Sequence, residues 1–504
     1  MLSRKKSDKK SKWYILAVII LMYLPVSLDA TILHVAAPLL SIDLKASADE
    51  VLWIIDIYSL VMASFLLVMG VVGDKIGAKK LAIMGVIIFG LASFIAMIST
   101  TAMILIIARG VLAIGAAMIL PATLSALRIS FSSNKERAVA LGIWSAVGTG
   151  GAALGPVVGG LLLEKYSWGS VFFINIPVCI LVLVMALKLP DLKTAGAKRK
   201  ISISDPLLLI ASILLIILSV KTSAREGFSP QLLVLSATGI SLIAVFLHRQ
   251  KSSENPMLQL SFFRNKTIVA GIILALASMV SLVGFEFYVS QQLQLAYGKT
   301  PLQAGLFLLP LILASCLSGP FIGWTLDRTG IRLIAVGGVV ISAASFAGMA
   351  FTSFDTQIWN AWLLMVVLGF CIEAALLAST TAIMNAVPAN KAGEAGAIEG
   401  MAYELGAGIG VVFFGLLMAS TFRNNLHDLQ PGYDNVNITG IGSSLSEAFS
   451  YAATLPQNEN SIVRDASITA FLNSHSTVML ASSFCLTLLG LCIYILLKDR
   501  SSNS

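Results

Sequence analysis

Long apolar segments alternate with short polar stretches along almost the whole chain. We count about 14 such segments, each roughly 17–25 residues long, which is the length that an α-helix needs to cross the hydrocarbon core of a bilayer. The pattern predicts an all-α integral membrane protein with 14 transmembrane helices and both termini on the same side. The segments begin near Trp13, Val51, Leu81, Ala102, Ala138, Ser170, Pro206, Gln231, Thr267, Gln303, Ile331, Ile358, Gly393 and Ser476.

Two longer polar stretches interrupt this alternation. The first is a basic linker from Lys188 to Pro206, after the sixth segment. The second runs from Arg423 to His475, before the last segment, and it is longer than a simple connection needs to be. Within it, GYDNVNITGIGSS predicts turns or a short hairpin, whereas SSLSEAFSYAATLPQ predicts an amphipathic helix and VRDASITAFLNSHS predicts another helix.

A short motif occurs twice, once after the second segment and once after the tenth. It reads GVVGDKIG from Gly70 and GWTLDRTG from Gly323. Such repeats are typical of transporters built from two similar halves, although a tight turn with flanking positive charge would also explain each copy. We assign conformational control to Gly70, Asp74, Gly77, Asp327 and Arg328.

The repeat divides the chain into two six-helix bundles with two further helices inserted between them. The predicted parts are a basic cytoplasmic N-terminus at 1–12, a first bundle at 13–190 and a linker with the two inserted helices at 191–266. The second bundle follows at 267–497 and contains the extracytoplasmic loop 423–475, and a cytoplasmic C-terminus occupies 498–504.

Composition and charge agree with a membrane protein. The chain is 57% hydrophobic and 12% charged, with a mean hydropathy of +0.89, and soluble domains carry roughly twice that charged fraction. About 26 Lys and Arg residues fall at the termini and in alternate loops, against about 7 on the opposite side, which marks the cytoplasmic side. Topology and contact with anionic lipid explain the net charge of +8, so no nucleic-acid partner is expected.

Charged residues inside the apolar segments are candidates for function. Each costs about 2.5–3.5 kcal/mol at the bilayer centre, so none is expected to face lipid, although a satisfied structural group would explain any single one. Arg109 is the intramembrane base, and it can support either a coupling role or a structural salt bridge. The net negative charge suits a cation, a proton or an exchange of the two. The acids are Asp29, Asp56, Glu286, Glu373, Glu399 and Glu404.

Aromatic side chains close to these acids are candidate drug contacts. Cation–π attraction to each would be worth about 0.5–2 kcal/mol, and plain packing or interfacial anchoring is the alternative interpretation. The four residues are Trp53, Tyr58, Phe285 and Phe287.

The fifth segment contains the run GAALGPVVGG. Glycine and proline weaken or bend an isolated helix, but in a membrane bundle they let backbones approach closely and let a helix bend at a defined place. A small-residue packing face of any multi-span protein is the alternative. The residues are Gly151, Gly155, Pro156, Gly159 and Gly160.

Other classes of function have little support in the sequence. The five cysteines and four histidines show no metal-ligand spacing, so we expect no metal site and no membrane-embedded enzyme. Gly298-Lys299-Thr300 is similar to the end of a phosphate-binding loop, but Leu293 stands where its first glycine belongs, which argues against an ATP-driven pump. Transport of another small organic solute remains the alternative within transport.

Taken in order, several motifs carry a family resemblance. They are Leu28-Asp29-Ala-Thr31 with Pro38, the run LWIIDIYSL at 52–60, the Gly70 loop, Arg109 to Ala117, Gly151 to Gly160, Trp168 through Asn175-Ile-Pro177, Asn385-Ala-Val-Pro388, and Ala397-Ile-Glu399 through Tyr403-Glu404-Leu-Gly406. The chain resembles the 14-span drug:proton antiporter branch of the major facilitator superfamily, and within it the quaternary-ammonium exporters of the QacA and SmvA type. The match covers nearly the whole chain.

The resemblance implies a major facilitator fold, with two bundles around a central cavity. It implies export of lipophilic cations such as quaternary ammonium antiseptics, dyes and biguanide-like dications, driven by the proton gradient without a cofactor. It further implies a multi-pass monomer in the bacterial inner membrane, with both termini cytoplasmic.

The resemblance also implies roles for single residues. Asp29 would bind a cation or a proton, Arg109 would take part in coupling, and Glu399 and Glu404 would serve recognition or coupling. The chain departs from the pattern in two places. Gly400 stands where some relatives have a second acid, and the tenth segment lacks an obvious acid, which leaves the proton number and the preference for dications open.

Overall fold

The chain is helical throughout the part that the computed structural model describes, which comprises residues 2–131, 134–189, 204–226, 230–253, 256, 258–387, 392–429 and 441–497. No strand occurs in these residues, which confirms the predicted all-α fold. The helices are α1 (Leu2–Asp43), α2 (Ala48–Ile76), α3 (Ala78–Met97), α4 (Ala102–Ser130), α5 (Asn134–Leu163), α6 (Ser170–Phe173), α7 (Asn175–Ala186), α8 (Ser204–Glu226), α9 (Pro230–Ser252), α10 (Lys266–Gln291), α11 (Pro301–Thr329), α12 (Ile331–Met349), α13 (Ile358–Asn385), α14 (Ala392–Leu429), α15 (Leu445–Ala452) and α16 (Gln457–Leu496).

Ten helices in this part of the chain are long and apolar enough to cross a membrane, namely α1, α3, α4, α9 to α14 and α16. Helices α5, α6 with α7, and α8 supply shorter apolar stretches. Together with α2, which carries the buried Asp56, these helices account for each of the predicted apolar segments.

Two helices extend beyond the apolar segments predicted from the sequence. Helix α1 begins at Leu2, although its apolar part begins at Lys12, next to the predicted Trp13. Helix α16 begins at Gln457, well before the predicted Ser476. The polar stretches that these helices include contain neither glycine nor proline, so nothing in the chain ends the helix at the membrane surface. The stretch VRDASITAFLNSHS is therefore helical as predicted, but it is continuous with the last span.

The short helix α15 confirms the amphipathic helix predicted in the loop before the last span. Ser444 caps it by accepting a hydrogen bond from the backbone N–H of Glu447, and Leu445, Ala448 and Ala452 are buried on one face. Residues 430–440, which hold most of the predicted turn or hairpin, lie outside the described residues. So do 190–203 of the linker, Pro388 and the tail 498–504.

The repeated motif forms the same turn in both copies. Gly77 separates α2 from α3 with φ 92° and ψ 143°, and Gly330 separates α11 from α12 with φ 82° and ψ 159°. A side chain is strained at a positive φ of this kind, so glycine is required at both turns. Gly70 lies within α2, and exposed Arg328 lies in the last turn of α11, where a cation complements the helix dipole. The side chains of Asp74 and Asp327 lie outside the described residues.

Two large hydrophobic cores divide the bundle. The first is built almost entirely from residues between Ile15 and Leu189, and the second from residues between Leu274 and Ile493. We call the parts around them the first and the second half. Helix α8 packs on the junction of the halves, where Ile217 contacts a cluster that includes Leu60 of α2 and Val412 of α14.

Glycines allow close approach both within the first half and between the halves. A Cβ on Gly151, Gly155 or Gly159 of α5 would collide with Ser27, Thr31 or Ile32 of α1. A Cβ on Gly160, on another face of α5, would lie 2.5 Å from the Cα of Leu302 in α11. The glycine run therefore packs α5 against its own half and against the other half, as backbone contact in membrane bundles requires.

Helix α14 makes the corresponding contacts from the second half. A Cβ on Gly410 would lie 2.6 Å from the carbonyl oxygen of Val280 in α10, within the same half. A Cβ on Gly415 would lie 2.5 Å from Leu52 in α2, in the other half. Two junctions between the halves, α5 with α11 and α2 with α14, thus rest on small residues.

Candidate functional site

A central cavity of about 150 Å³ lies between the halves. Residues from both halves line it, including Asp56, Tyr58 and Arg109 from the first half and Glu286 and Glu404 from the second. The structure therefore brings five of the predicted site residues together. Most of the remaining lining is apolar, as expected of a site for an organic ligand.

Asp29 and Arg109 form a buried ion pair inside the first half. Nη1 of Arg109 in α4 donates to the carboxylate of Asp29 in α1, and both side chains are 2% exposed or less. Nε of Arg109 donates to the carbonyl of Ile54 at 3.2 Å, and Asn175 donates to Asp29 at 3.4 Å. The pair is thus compensated in charge and well supplied with hydrogen bonds, which a buried ion pair needs in order to be tolerated.

The aromatic ring of Tyr58 completes this arrangement. The guanidinium carbon of Arg109 lies 4.4 Å from the centroid of that ring, a cation–π contact. All three residues are buried, but Tyr58 and Arg109 line the cavity and Asp29 lies behind Arg109. A ligand in the cavity would therefore meet Arg109 and Tyr58 before it met Asp29.

Glu286 and His34 lie next to each other in the wall of the cavity. Nδ1 of His34 in α1 lies 3.5 Å from Oε2 of Glu286 in α10, so the two side chains connect the first half with the second. Both line the cavity, and their side chains are 1% and 6% exposed. His34 was not among the predicted site residues.

Glu404 and Asp56 lie on the two helices that meet at the α2–α14 junction. Glu404 of α14 accepts a hydrogen bond from the side chain of Ser59 in α2, and it lines the cavity together with Asp56. Three acidic side chains, those of Asp56, Glu286 and Glu404, thus line the cavity, whereas the charge of Arg109 is balanced by Asp29.

The residues that line the cavity do not include Glu399 or Glu373. Glu399 accepts hydrogen bonds from Thr380 of α13 and, at 2.8 Å, from the hydroxyl of Tyr403 on its own helix. Glu373 of α13 accepts one from Ser315 of α11 at 3.1 Å. Both acids thus bind polar groups within the second half, although Ser315 itself reaches the cavity.

The four predicted aromatic contacts are divided among different environments. Tyr58 lines the central cavity, and Phe287 lines a second cavity of about 580 Å³. Phe285 is fully buried in the second core, with its ring 5.5 Å from that of Phe346 in an edge-to-face contact. Trp53 packs against the cluster of Leu60, Ile217 and Val412, where α8 meets α2 and α14.

Helix α15 packs over one end of the bundle, which we call the α15 end. Ser41 at the end of α1 donates to Ser446 of α15 at 2.9 Å. The backbone N–H of Ala48, in the first turn of α2, donates to Glu447 of α15 at 2.8 Å, where a carboxylate also complements the helix dipole. The second cavity is lined in part by these same residues. Residues 2 and 497, at the far ends of α1 and α16, lie at the opposite end of the bundle.

The end of α10 adds a further contact between the halves near the α15 end. Gln292 to Ala296 form a π-helical segment that continues α10, and Gln294 donates from it to the carbonyl of Val35 in α1 at 2.9 Å. Segments of this kind often occur at functional sites.

Two polar residues of the site gave little signal in the sequence. His34 is a single histidine in an apolar span, and Asn175 is a single amide at the start of α7. Asn175 belongs to a motif matched by resemblance, so it could have been selected there.

The part of the chain that the structure describes contains no group of three or more His, Cys, Asp or Glu residues arranged to hold a metal ion.

Comparison with known proteins gives a consistent result. Residues 19–411 match the Major Facilitator Superfamily. The chain is 46% identical over 480 residues to the methyl viologen resistance protein SmvA of Salmonella typhimurium, covering 95% of this chain and 97% of that protein. It is 34% identical over 462 residues to the multidrug efflux pump LfrA of Mycolicibacterium smegmatis, covering 91% of each.

A solved structure supports the fold. The crystal structure of a bacterial homologue of the human lysosomal transporter Spinster, in an inward-facing and unoccupied conformation, superposes with a TM-score of 0.67 at 16% identity. The superposition covers 98% of this chain and 99% of that one. Together with the family match, it confirms the predicted major facilitator fold.

Proposed function

The chain belongs to the Major Facilitator Superfamily and is one of its drug efflux transporters, and we propose that it exports lipophilic cations in exchange for protons. The observation that carries this proposal is the set of acids that line the central cavity. Three carboxylates, from Asp56, Glu286 and Glu404, line it, while Arg109 is neutralised by Asp29. A cation or a proton can balance such a site, whereas an anion would be repelled.

The names of the relatives support the class of substrate. SmvA is named for resistance to methyl viologen, an aromatic dication, and LfrA for multidrug efflux. In this chain an apolar cavity wall and the ring of Tyr58 would receive the aromatic part of such a molecule, and the carboxylates would balance its charge. Binding and release of this kind leave the substrate chemically unchanged, so the proposal includes no enzymatic step.

The proposed mechanism is alternating access with competition between proton and drug. An ionised carboxylate binds the cationic drug on the cytoplasmic side, and protonation from the other side releases it. The central cavity, at about 150 Å³, is smaller than the roughly 300–1,000 Å³ usual for drug-sized ligands. The halves must therefore separate on one side to admit the substrate.

We assign the α15 end to the outside of the bacterial inner membrane, with both termini in the cytoplasm and the protein acting as a monomer. The excess of Lys and Arg on the opposite side supports this orientation. In a cysteine-free background, a cysteine replacing the half-exposed Tyr451 of α15 should react with an impermeant thiol reagent from the periplasm. Protection until the cells are lysed would reverse the assignment.

Transport by the purified protein in lipid vesicles tests the proposed function. Tetraphenylphosphonium carries a fixed charge, so a pH gradient cannot trap it in vesicles by protonation. With the membrane potential clamped at zero, an acidic lumen should drive its uptake, and collapse of the pH gradient should stop the uptake. Protein-free vesicles serve as the control. Uptake that is independent of the pH gradient would contradict proton coupling.

A further inference from the structure

The contact between His34 and Glu286 differs from the other ionic contacts around the cavity because it joins the two halves. His34 lies on α1 and Glu286 on α10, with 3.5 Å between Nδ1 and Oε2. Within the described residues, neither of these two atoms makes a hydrogen bond. Polar atoms that are buried without a partner are costly, so this pair is suited to take up a proton or a ligand.

Among the residues that the structure describes, the lining of the cavity supplies no other unpaired positive charge for Glu286. The guanidinium of Arg109, on α4, forms an ion pair with the carboxylate of Asp29 on α1. The remaining titratable groups that face the cavity are Asp56 and Tyr58 of α2, Cys316 of α11 and Glu404 of α14, with Glu373 of α13 behind Ser315. None of these groups can carry a positive charge, which leaves the imidazole of His34 to supply one when it binds a proton.

We propose that His34 and Glu286 form a shared proton site in which one proton replaces one positive charge of the exported cation. The proposal rests on the proposed function and specifies where the exchange occurs. Without the proton, the pair consists of a neutral imidazole and a carboxylate, with a net charge of −1. A bound proton brings the net charge to zero, and a monocation at the carboxylate does the same.

The position of the pair couples this exchange to the movement of the halves. When the imidazole is protonated, the ion pair ties α1 to α10. When a cation occupies the carboxylate, the imidazole must be neutral, because two positive charges cannot share one buried carboxylate at this distance without strong repulsion. The drug-loaded state therefore lacks the tie between the halves that the proton-loaded state has.

The test separates cation binding from proton coupling in the purified full-length chain. Binding of tetraphenylphosphonium to the wild type should weaken as the pH falls from 8 to 5.5, by at most about tenfold per pH unit for each competing proton. His34→Gln should bind within about threefold of the wild type at pH 8, but lose most of this pH dependence. In vesicles it should keep exchange of cation for cation and lose at least about tenfold of the uptake driven by a pH gradient.

Further variants guard against a fold defect. Glu286→Gln should also lose the pH dependence of binding, and combining it with His34→Gln should add little, because the two residues act as a unit. His34→Lys should bind the cation weakly at every pH. His427→Gln changes an exposed histidine and should behave as the wild type.

Two results would overturn the inference. Wild-type pH dependence and wild-type gradient-driven uptake in His34→Gln would show that the pair is not the proton site, while leaving the proposed function intact. Absence of gradient-driven uptake in the wild-type protein would instead reject the proposed function and the inference together.

Discussion

Two ionic contacts that begin on the same helix differ in what they connect. Asp29 and His34 are five residues apart on α1, which separates them by about 140° around the helix axis. Asp29 contacts Arg109 within the first half, whereas His34 contacts Glu286 in the second half. The first contact moves with its half as one body, and only the second can change when the halves move.

The two contacts also differ in how completely their polar groups are satisfied. Arg109 binds Asp29, the carbonyl of Ile54 and the ring of Tyr58, and such a network holds its members in one arrangement. His34 and Glu286 are 3.5 Å apart, and the facing atoms make no hydrogen bond within the described residues. A saturated pair is suited to position the cavity wall, and an unsaturated pair is suited to exchange ligands.

The largest effect is expected from breaking the saturated pair. Arg109→Ala leaves the carboxylate of Asp29 buried without its partner, which should cost about 3–5 kcal/mol of folding free energy. We expect loss of transport and a lower unfolding temperature in detergent. Arg109→Lys supplies the charge without the guanidinium fork, so it should retain partial activity.

The reciprocal variant sharpens this prediction. Asp29→Asn should still insert into the membrane but abolish export, because the positive charge of Arg109 is then unbalanced beside the cation site. Adding Asn at position 29 to Arg109→Ala should recover part of the lost stability without recovering transport. Efflux within twofold of the wild type in either single variant would show that the pair has no role in transport.

A smaller effect is expected where the glycines of α5 set the distance between helices. Gly155→Leu places a side chain against Thr31 of α1, within the half, and Gly160→Leu places one against Leu302 of α11, between the halves. Overpacking typically costs about 1–3 kcal/mol. Gly155→Leu should lower the free energy of unfolding by about this amount and reduce the transport rate by about tenfold or more. Gly160→Leu should instead mainly prevent the two halves from closing at the α15 end.

The measurement that separates the two glycine variants is accessibility from the α15 side. A cysteine replacing Phe287, in the second cavity, should react faster with an impermeant thiol reagent in Gly160→Leu than in the wild type. Unchanged reactivity would show that the close approach of α5 to α11 does not control closure. The melting temperatures of the two variants provide the matched comparison, and that of Gly155→Leu should be the lower one.

Much of the fold could be predicted from the sequence, because bilayer thickness imposes a length on each apolar segment. The glycine run and the repeated turn at Gly77 and Gly330 were equally informative, since a close backbone approach and a positive φ each demand glycine. The helical extension at the start of α1 was not predicted, and neither was the continuity of the predicted helix VRDASITAFLNSHS with the last span. Hydropathy along the chain indicates where an apolar segment ends, but it does not indicate where the helix that contains this segment ends.

The candidate site was predicted less completely, because a helix that is apolar on all sides does not reveal which face points where. Glu286 was selected as a buried charge, but its partner His34 is 252 positions away in the chain, and only the packing of α1 against α10 brings them together. Phe285 and Phe287 were both selected as candidate drug contacts because they flank Glu286 in the sequence. Residues two apart in a helix lie about 200° apart around its axis and do not face one site.

The smallest predicted effect tests that separation of the two phenylalanines. Phe287 lines the second cavity, between the central cavity and the α15 end, so Phe287→Leu should remove one cation–π contact on the path of the exported cation. A contact of this kind is worth about 0.5–2 kcal/mol, so the variant should change the relative export of aromatic and aliphatic quaternary ammonium compounds by at least about twofold. Phe285→Leu changes the edge-to-face contact with Phe346 instead, and it should lower the melting temperature while leaving the ranking of substrates unchanged. The measurement is efflux of a matched series of aryl and alkyl quaternary ammonium compounds in cells expressing equal amounts of each variant. A change of ranking in Phe285→Leu but not in Phe287→Leu would place the path of the cation on the other face of α10.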